Sequence, residues 1–159
     1  MERSGPIAIV EAGPESARAV AGVRLDFLSE HRRRELGHGG GFAAANRRWV
    51  DEGLRAGWYR AWLAETDGVV VGGAGLLVNR MPPLPEDERT AEAWVIAMWV
   101  RPDHRRRGLA TGLLDRCRTA AREAGIRRLL LWATADGLPL YEHEGFTSPD
   151  RLLHLPVPE

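Results

Sequence analysis

The chain has 159 residues, with 22 basic residues, all arginine, set against 22 acidic ones, so its formal charge is zero. That length fits one domain spanning residues 1–159, and it buries roughly two-thirds of the unfolded chain's surface without a disulfide or metal staple. The missing lysine excludes Schiff-base and P-loop chemistry, and the lone Cys117 excludes an intrachain disulfide and a Cys-rich zinc site.

Five histidines, at 31, 38, 104, 143 and 154, lack metal-ligand spacing, so no metal is expected. Residues 1–6 lack the layout of a signal peptide and no apolar run reaches 18 residues, so a cytoplasmic protein without a membrane partner is expected.

In chain order, residues 7–11 read as a first strand. Apolar Ala17, Val20, Ala21, Val23, Leu25 and Leu28 place a helix over 14–29, and the glycines of 37–41 break it. A second helix covers 42–54, before Gly57. The aromatic run 58–65, the Asp67-Gly68 dipeptide and the run 69–78 read as a hairpin. Residues 80–92, with three prolines and four carboxylates, read as an exposed loop. The run 93–100 is apolar at every position up to Val100, which fits a central strand covered on both faces. A helix over 106–124 follows, with Leu109, Leu113, Cys117 and Ala121 four apart. Residues 129–133 read as a buried strand, which makes 93–133 a βαβ unit with parallel strands. A short helix over 138–144 and a stretch over 146–155 complete an α/β chain with a mixed sheet. Trp58, Trp62, Trp94, Trp99 and Trp132 fall in these strands and are expected to build core. Trp99 is also a candidate lining of an acceptor channel, and Cys117 reads as a core residue.

The densest chemistry lies where the central strand meets the third helix, in Val100-Arg101-Pro102-Asp103-His104-Arg105-Arg106-Arg107-Gly108-Leu109-Ala110-Thr111. The first turn of a helix has backbone N–H groups without intrahelical acceptors and carries about half a positive charge, so it suits phosphate. Gly108 and Ala110 let an anion approach the backbone, and Arg105, Arg106 and Arg107 offer charge-assisted donors. Neither a Walker A loop nor a Gly-x-Gly-x-x-Gly fingerprint is present.

The pattern Arg105-x-x-Gly108-x-Ala110, after Met98-Trp99-Val100-Arg101-Pro102, resembles motif A of the GNAT superfamily of N-acetyltransferases. Leu140-Tyr141-Glu142-His143-Glu144-Gly145-Phe146 resembles that family's Leu-Tyr-x-x-x-Gly-Phe signature. The resemblance covers about 58–147. It implies a GNAT-like fold in which a parallel strand pair splays apart, and acetyl-CoA as co-substrate. Arg105, Arg106, Arg107, Gly108, Leu109, Ala110 and Thr111 would then hold the diphosphate, mainly through backbone N–H groups. Backbone groups of Met98, Trp99 and Val100 would hold the pantetheine and the thioester carbonyl. Tyr141 would stand at the sulfur. Thr134 occupies a position where many relatives have asparagine against the pantetheine. Glu92, at the mouth of the central strand, is the candidate base, ahead of Glu86, Asp87 and Glu88. The acceptor would be a primary amine on a small molecule or peptide, and a homodimer is compatible with this reading.

Two other classes compete. Nine arginines and three acids lie between Arg101 and Arg128, a face that could meet nucleic acid, but the net charge is zero and the aromatics sit in strands. A GNAT-like domain that senses acyl-CoA without turnover is the other, and the intact Tyr141 argues against it. No nucleic-acid partner is therefore expected.

Overall fold

A computed structural model of the chain describes residues 5–32, 36–37, 39–85, 88 and 91–148. Five strands form one sheet in the order β1-β2-β3-β4-β5. They are β1 (Ala8–Glu11), β2 (Tyr59–Thr66), β3 (Val69–Arg80), β4 (Ala91–Val100) and β5 (Leu129–Leu130). The first three pairings are antiparallel, and β4 with β5 is parallel. The mixed sheet read from the sequence is thus present, with its parallel pair at one edge.

Local chemistry sets the joints. Asp67 and Gly68 both take positive φ, at 50° and 75°, the left-handed pair that a two-residue hairpin requires. Helix α1 (Ala17–Arg32) follows a 3-10 turn at Pro14–Ser16, where proline cannot supply an interior helical N–H. Helix α2 (Gly41–Ala56) stops at Gly57, whose N–H returns 2.9 Å to the Gly53 carbonyl in a left-handed cap.

Successive strand side chains face opposite ways, so β2 feeds two cores. Tyr59, Ala61 and Leu63 pack with Val20, Ala21 and Val50 of α1 and α2. Trp62 and Ala64 pack on the other face with Leu113, Leu114 and Cys117 of α3 (Leu109–Glu123). That stripe of α3 is fully buried, as its four-residue spacing predicts. Gly75 of β3 is required by packing, because a Cβ there would collide with the Tyr59 hydroxyl.

The last third of the chain departs from the sequence reading in three places. Helix α3 begins at Leu109, not 106, because Arg106 and Gly108 are left-handed and cannot join it. The strand expected over 129–133 ends after Leu130. Trp132 is consequently 68% exposed rather than core, stacked on Trp94 with ring centroids 6.1 Å apart. Helix α4 (Leu138–His143) lies where expected. Of the stretch over 146–155, residues 149–155 lie outside the described residues, as do Glu86, Asp87, His38 and His154.

Candidate active site

Two features of β4 open the sheet at one end. Its parallel ladder with β5 has only two rungs, Ala93↔Leu129 and Trp94↔Leu130. Farther along, β4 carries one extra residue against β3: Ile96 faces Gly75 and Trp99 faces Gly73, so Ala97 and Met98 together oppose Ala74. Ala97 adopts φ 52° at this bulge, a left-handed setting that costs an L-residue roughly 1–2 kcal/mol. Bulges bend their strand and increase its twist. The bulge therefore lies on the stretch of β4 that has left β5, and Met98, Trp99 and Val100 border the gap.

At the end of β4 the chain passes through a 3-10 turn, Pro102–His104, pinned by a compact ion cluster. Asp103 accepts from Arg101 Nε at 2.7 Å and lies 2.8 Å from His104 Nδ1. Those two partners hold the Asp103 carboxyl far below the usual carboxylate range. The loop then turns left-handed at Arg106 (φ 61°) and again at Gly108 (φ 77°). Left-handed Gly108 followed by helical Leu109 is a left–right pair, which aims successive N–H groups at one point, the geometry of an anion nest. The first helical bond of α3 runs from the Gly112 N–H to the Gly108 carbonyl at 3.0 Å, so the N–H groups of Leu109, Ala110 and Thr111 have no helical acceptor. Gly108, at the cap position, has no side chain to cap them. Strain at Arg106 and uncapped donors fall together at the spot the sequence marks for phosphate.

The three arginines of the loop do different jobs. Arg105 turns inward: its Nε donates to the Val100 carbonyl at 2.8 Å, and its Nη2 lies 2.7 Å from both carboxylate oxygens of Glu30 near the end of α1. Trp99 Nε1 donates to the same carboxylate at 2.8 Å. Burial pushes the Glu30 carboxyl up, but the donors from Arg105 and Trp99, with the Arg105 charge, outweigh it and hold the group below its ordinary value. All three side chains are exposed, and Arg105 is set apart by its bonds to Val100 and Glu30. Glu30 was not legible as a site residue: nothing in the sequence links it to a loop 75 residues away.

Tyr141 stands on α4 in the core it shares with Val100 of β4 and Leu113 of α3, 8% exposed, with its ring edge-on to Phe146 at 5.7 Å. Burial pushes its phenol up to about 12. Helix α4 is tied to α3 by Arg118, which donates to the Glu144 carboxylate at 3.2 Å and to its carbonyl at 3.1 Å. Thr134 opens α4: its hydroxyl and its carbonyl each accept from the Gly137 N–H at 3.1 Å. The hydroxyl oxygen is thus engaged locally, with its proton free to point elsewhere.

Glu92 is 9% exposed and lies before the first rung of the β4–β5 ladder. Its two oxygens accept from Trp94 Nε1 and Arg128 Nη2, each at 3.0 Å. At ~3.3 Å per residue it stands on the order of 20 Å along the strand from Met98. Val100, Leu109 and Tyr141 thus share one core cluster with Met98 and Ala110 packed against it, Thr134 and Tyr141 both flank Gly137, and Glu92 stands at the other end of β4. Among the described residues no group of three or more His, Cys, Asp or Glu converges as a metal site, and no helix is long and apolar enough to cross a membrane.

A mixed sheet with its parallel pair at one edge, helices packed on both faces and a glycine-led helix start after the fourth strand makes this an α/β protein. A sequence model of the Acetyltransferase (GNAT) family matches residues 25–146, most of the chain, and the protein belongs to that family of acetyl-CoA-dependent acetyltransferases. Solved structures agree on the fold. A predicted acetyltransferase with acetyl-CoA from Clostridium acetobutylicum aligns with a TM-score of 0.85 at 22% identity, covering 95% of this chain and 96% of that one. A GCN5-related N-acetyltransferase from Ralstonia eutropha JMP134 aligns with a TM-score of 0.81 at 28% identity, over 96% and 99%. An aminoglycoside N-acetyltransferase in complex with CoA aligns with a TM-score of 0.76 at 18% identity, over 99% and 98%. No curated protein matches the chain at a significant level.

Proposed function

We propose that the protein, as one domain over 1–159, transfers the acetyl group of acetyl-CoA to a primary amine by direct attack in a ternary complex. The observation that carries this reading is the uncapped first turn of α3, preceded by left-handed Arg106 and Gly108 and adjoining the gap between β4 and β5. The diphosphate sits on the N–H groups from Arg106 to Thr111, and Arg106 and Arg107 add charge. The pantetheine lies in the gap, its amides meeting backbone polar groups of Met98, Trp99 and Val100 as an added strand would. Thr134 meets it from the α4 side through its hydroxyl proton.

Tyr141 donates a hydrogen bond to the sulfur as the C–S bond breaks. A phenol near 12 cannot hand its proton fully to a thiolate of ordinary pKa, about 8.5, at less than roughly 5 kcal/mol. A hydrogen bond that strengthens as the sulfur gains charge needs no such transfer. The amine nitrogen attacks the thioester carbon, coenzyme A leaves as the thiolate held by Tyr141, and the surplus ammonium proton passes to water in the gap. Glu92 we assign to the closed end of the sheet rather than to proton removal, since both its oxygens hold protein donors there.

The acceptor is a primary amine on a small molecule or peptide, and the acidic run Glu86, Asp87 and Glu88 favours a cationic one. A cytoplasmic location suits this co-substrate, and a homodimer is compatible with a site built within one chain. Nucleic acid is disfavoured, because four of the nine arginines between 101 and 128 are engaged by carboxylates: Arg101, Arg105, Arg118 and Arg128. Thermal-shift titration tests the cofactor: acetyl-CoA should raise the melting temperature, and unchanged melting at millimolar ligand would overturn it. An amine panel read by free-thiol release then identifies the acceptor class.

A further inference from the structure

A strained backbone persists only where its surroundings hold it. The loop between Arg105 and Gly108 contains two left-handed residues, and the exposed side chains of Arg106 and Arg107 bring it no packing. On its far side α3 holds it. On its near side it is held by the pinned Pro102–His104 turn and by the Arg105 side chain, fastened to the Val100 carbonyl and the Glu30 carboxylate. Glu30 is fixed in turn by Trp99 Nε1, so one carboxylate joins α1, β4 and the loop.

We propose that Glu30 is a positioning residue for the diphosphate site, acting through Arg105 and Trp99 to set the 106–111 backbone amides. The proposal rests on the acetyl-CoA reading above. Glu30 neutralises Arg105 and turns it away from the ligand, so of the three loop arginines only Arg106 and Arg107 meet phosphate. The pair is partly exposed, 39% and 46% at the side chains, and such pairs contribute little to global stability. Its effect is on the shape of the loop.

The test compares two ligands that differ in the diphosphate: acetyl-CoA by calorimetry, and S-acetylpantetheine, which lacks the nucleotide and its phosphates, by amide NMR shifts. Glu30→Ala should weaken acetyl-CoA binding about tenfold and leave S-acetylpantetheine binding within about twofold. Glu30→Gln, which keeps the size and one acceptor oxygen, should lose about threefold, and it serves if the alanine variant folds poorly. Arg105→Ala should match Glu30→Ala, and the double variant should be no worse than either single, since the two act as one unit. Unchanged acetyl-CoA affinity, equal losses for both ligands or additive losses would overturn the proposal. If the unmodified protein binds no acetyl-CoA, the cofactor reading itself falls, an outcome the wild-type titration shows separately.

Discussion

The two ends of β4 are built oppositely. At Ala93–Trp94 the strand is paired on both edges, the carboxylate of Glu92 just before is bonded by Trp94 and Arg128, and β5 runs beside it. At Ala97–Val100 the bulge bends it, β5 is gone, and a loop of left-handed residues and uncapped amides follows. One strand thus serves as a sheet member at its start and as one wall of the proposed ligand gap at its end. The difference locates chemistry by what is unpaired: groups with all their partners in the protein belong to the frame, and groups left over belong to the ligand.

The open end should be the sensitive one. Gly108→Val should lower acetyl-CoA affinity about a hundredfold, because a β-branched residue resists φ 77° and covers the amide nest. Stability should fall by roughly 1–2 kcal/mol, measurable by urea unfolding alongside calorimetry. Tyr141→Phe should cut kcat about 10- to 100-fold with acetyl-CoA affinity within about twofold, and equal turnover would remove the phenol from the reaction. With the phenol near 12, Tyr141 stays protonated across the working range. The rate with a simple alkylamine should therefore climb from pH 7 to 9.5 as the neutral amine accumulates, and an alkaline decline within that window would contradict this role.

Helix α3 contains the same contrast, open in its first turn and sealed along its body. Burial pushes the Cys117 thiol up to about 12. As pH rises past the ordinary thiol value the unfolded chain ionises first, so stability present below that value is lost progressively towards 12. Cys117→Val should gain roughly 2–3 kcal/mol on the wild type between pH 7 and 11, read from denaturant midpoints at the two pH values. The smallest effect belongs to the closed end. Glu92→Gln should change kcat by less than about threefold, and a loss of a hundredfold would return Glu92 to the role of base.

Legibility in the sequence followed the same divide. The stripe Leu109, Leu113, Cys117 was readable because burial imposes a period, and Asp67-Gly68 because few dipeptides tolerate two positive φ values. The nest at Gly108 was readable from the motif and from helix-end electrostatics. Hidden from the sequence were features set by distant partners. An alanine carries no sign that it will bulge, so the run Leu129 to Ala133 looked like a full strand although its partner bends away after two rungs. Trp132 looked like core for the same reason. Arg105, Arg106 and Arg107 look alike in sequence, and only Glu30 on α1 separates the one that turns inward.

The proposed site places the diphosphate of acetyl-CoA on the backbone amides of residues 106–111. A nitrogen-15 NMR titration with coenzyme A reads those amides directly. The signals of Arg106, Gly108, Leu109, Ala110 and Thr111 should shift most, to lower field, and saturate together. Binding that leaves them unmoved while signals elsewhere shift would contradict it.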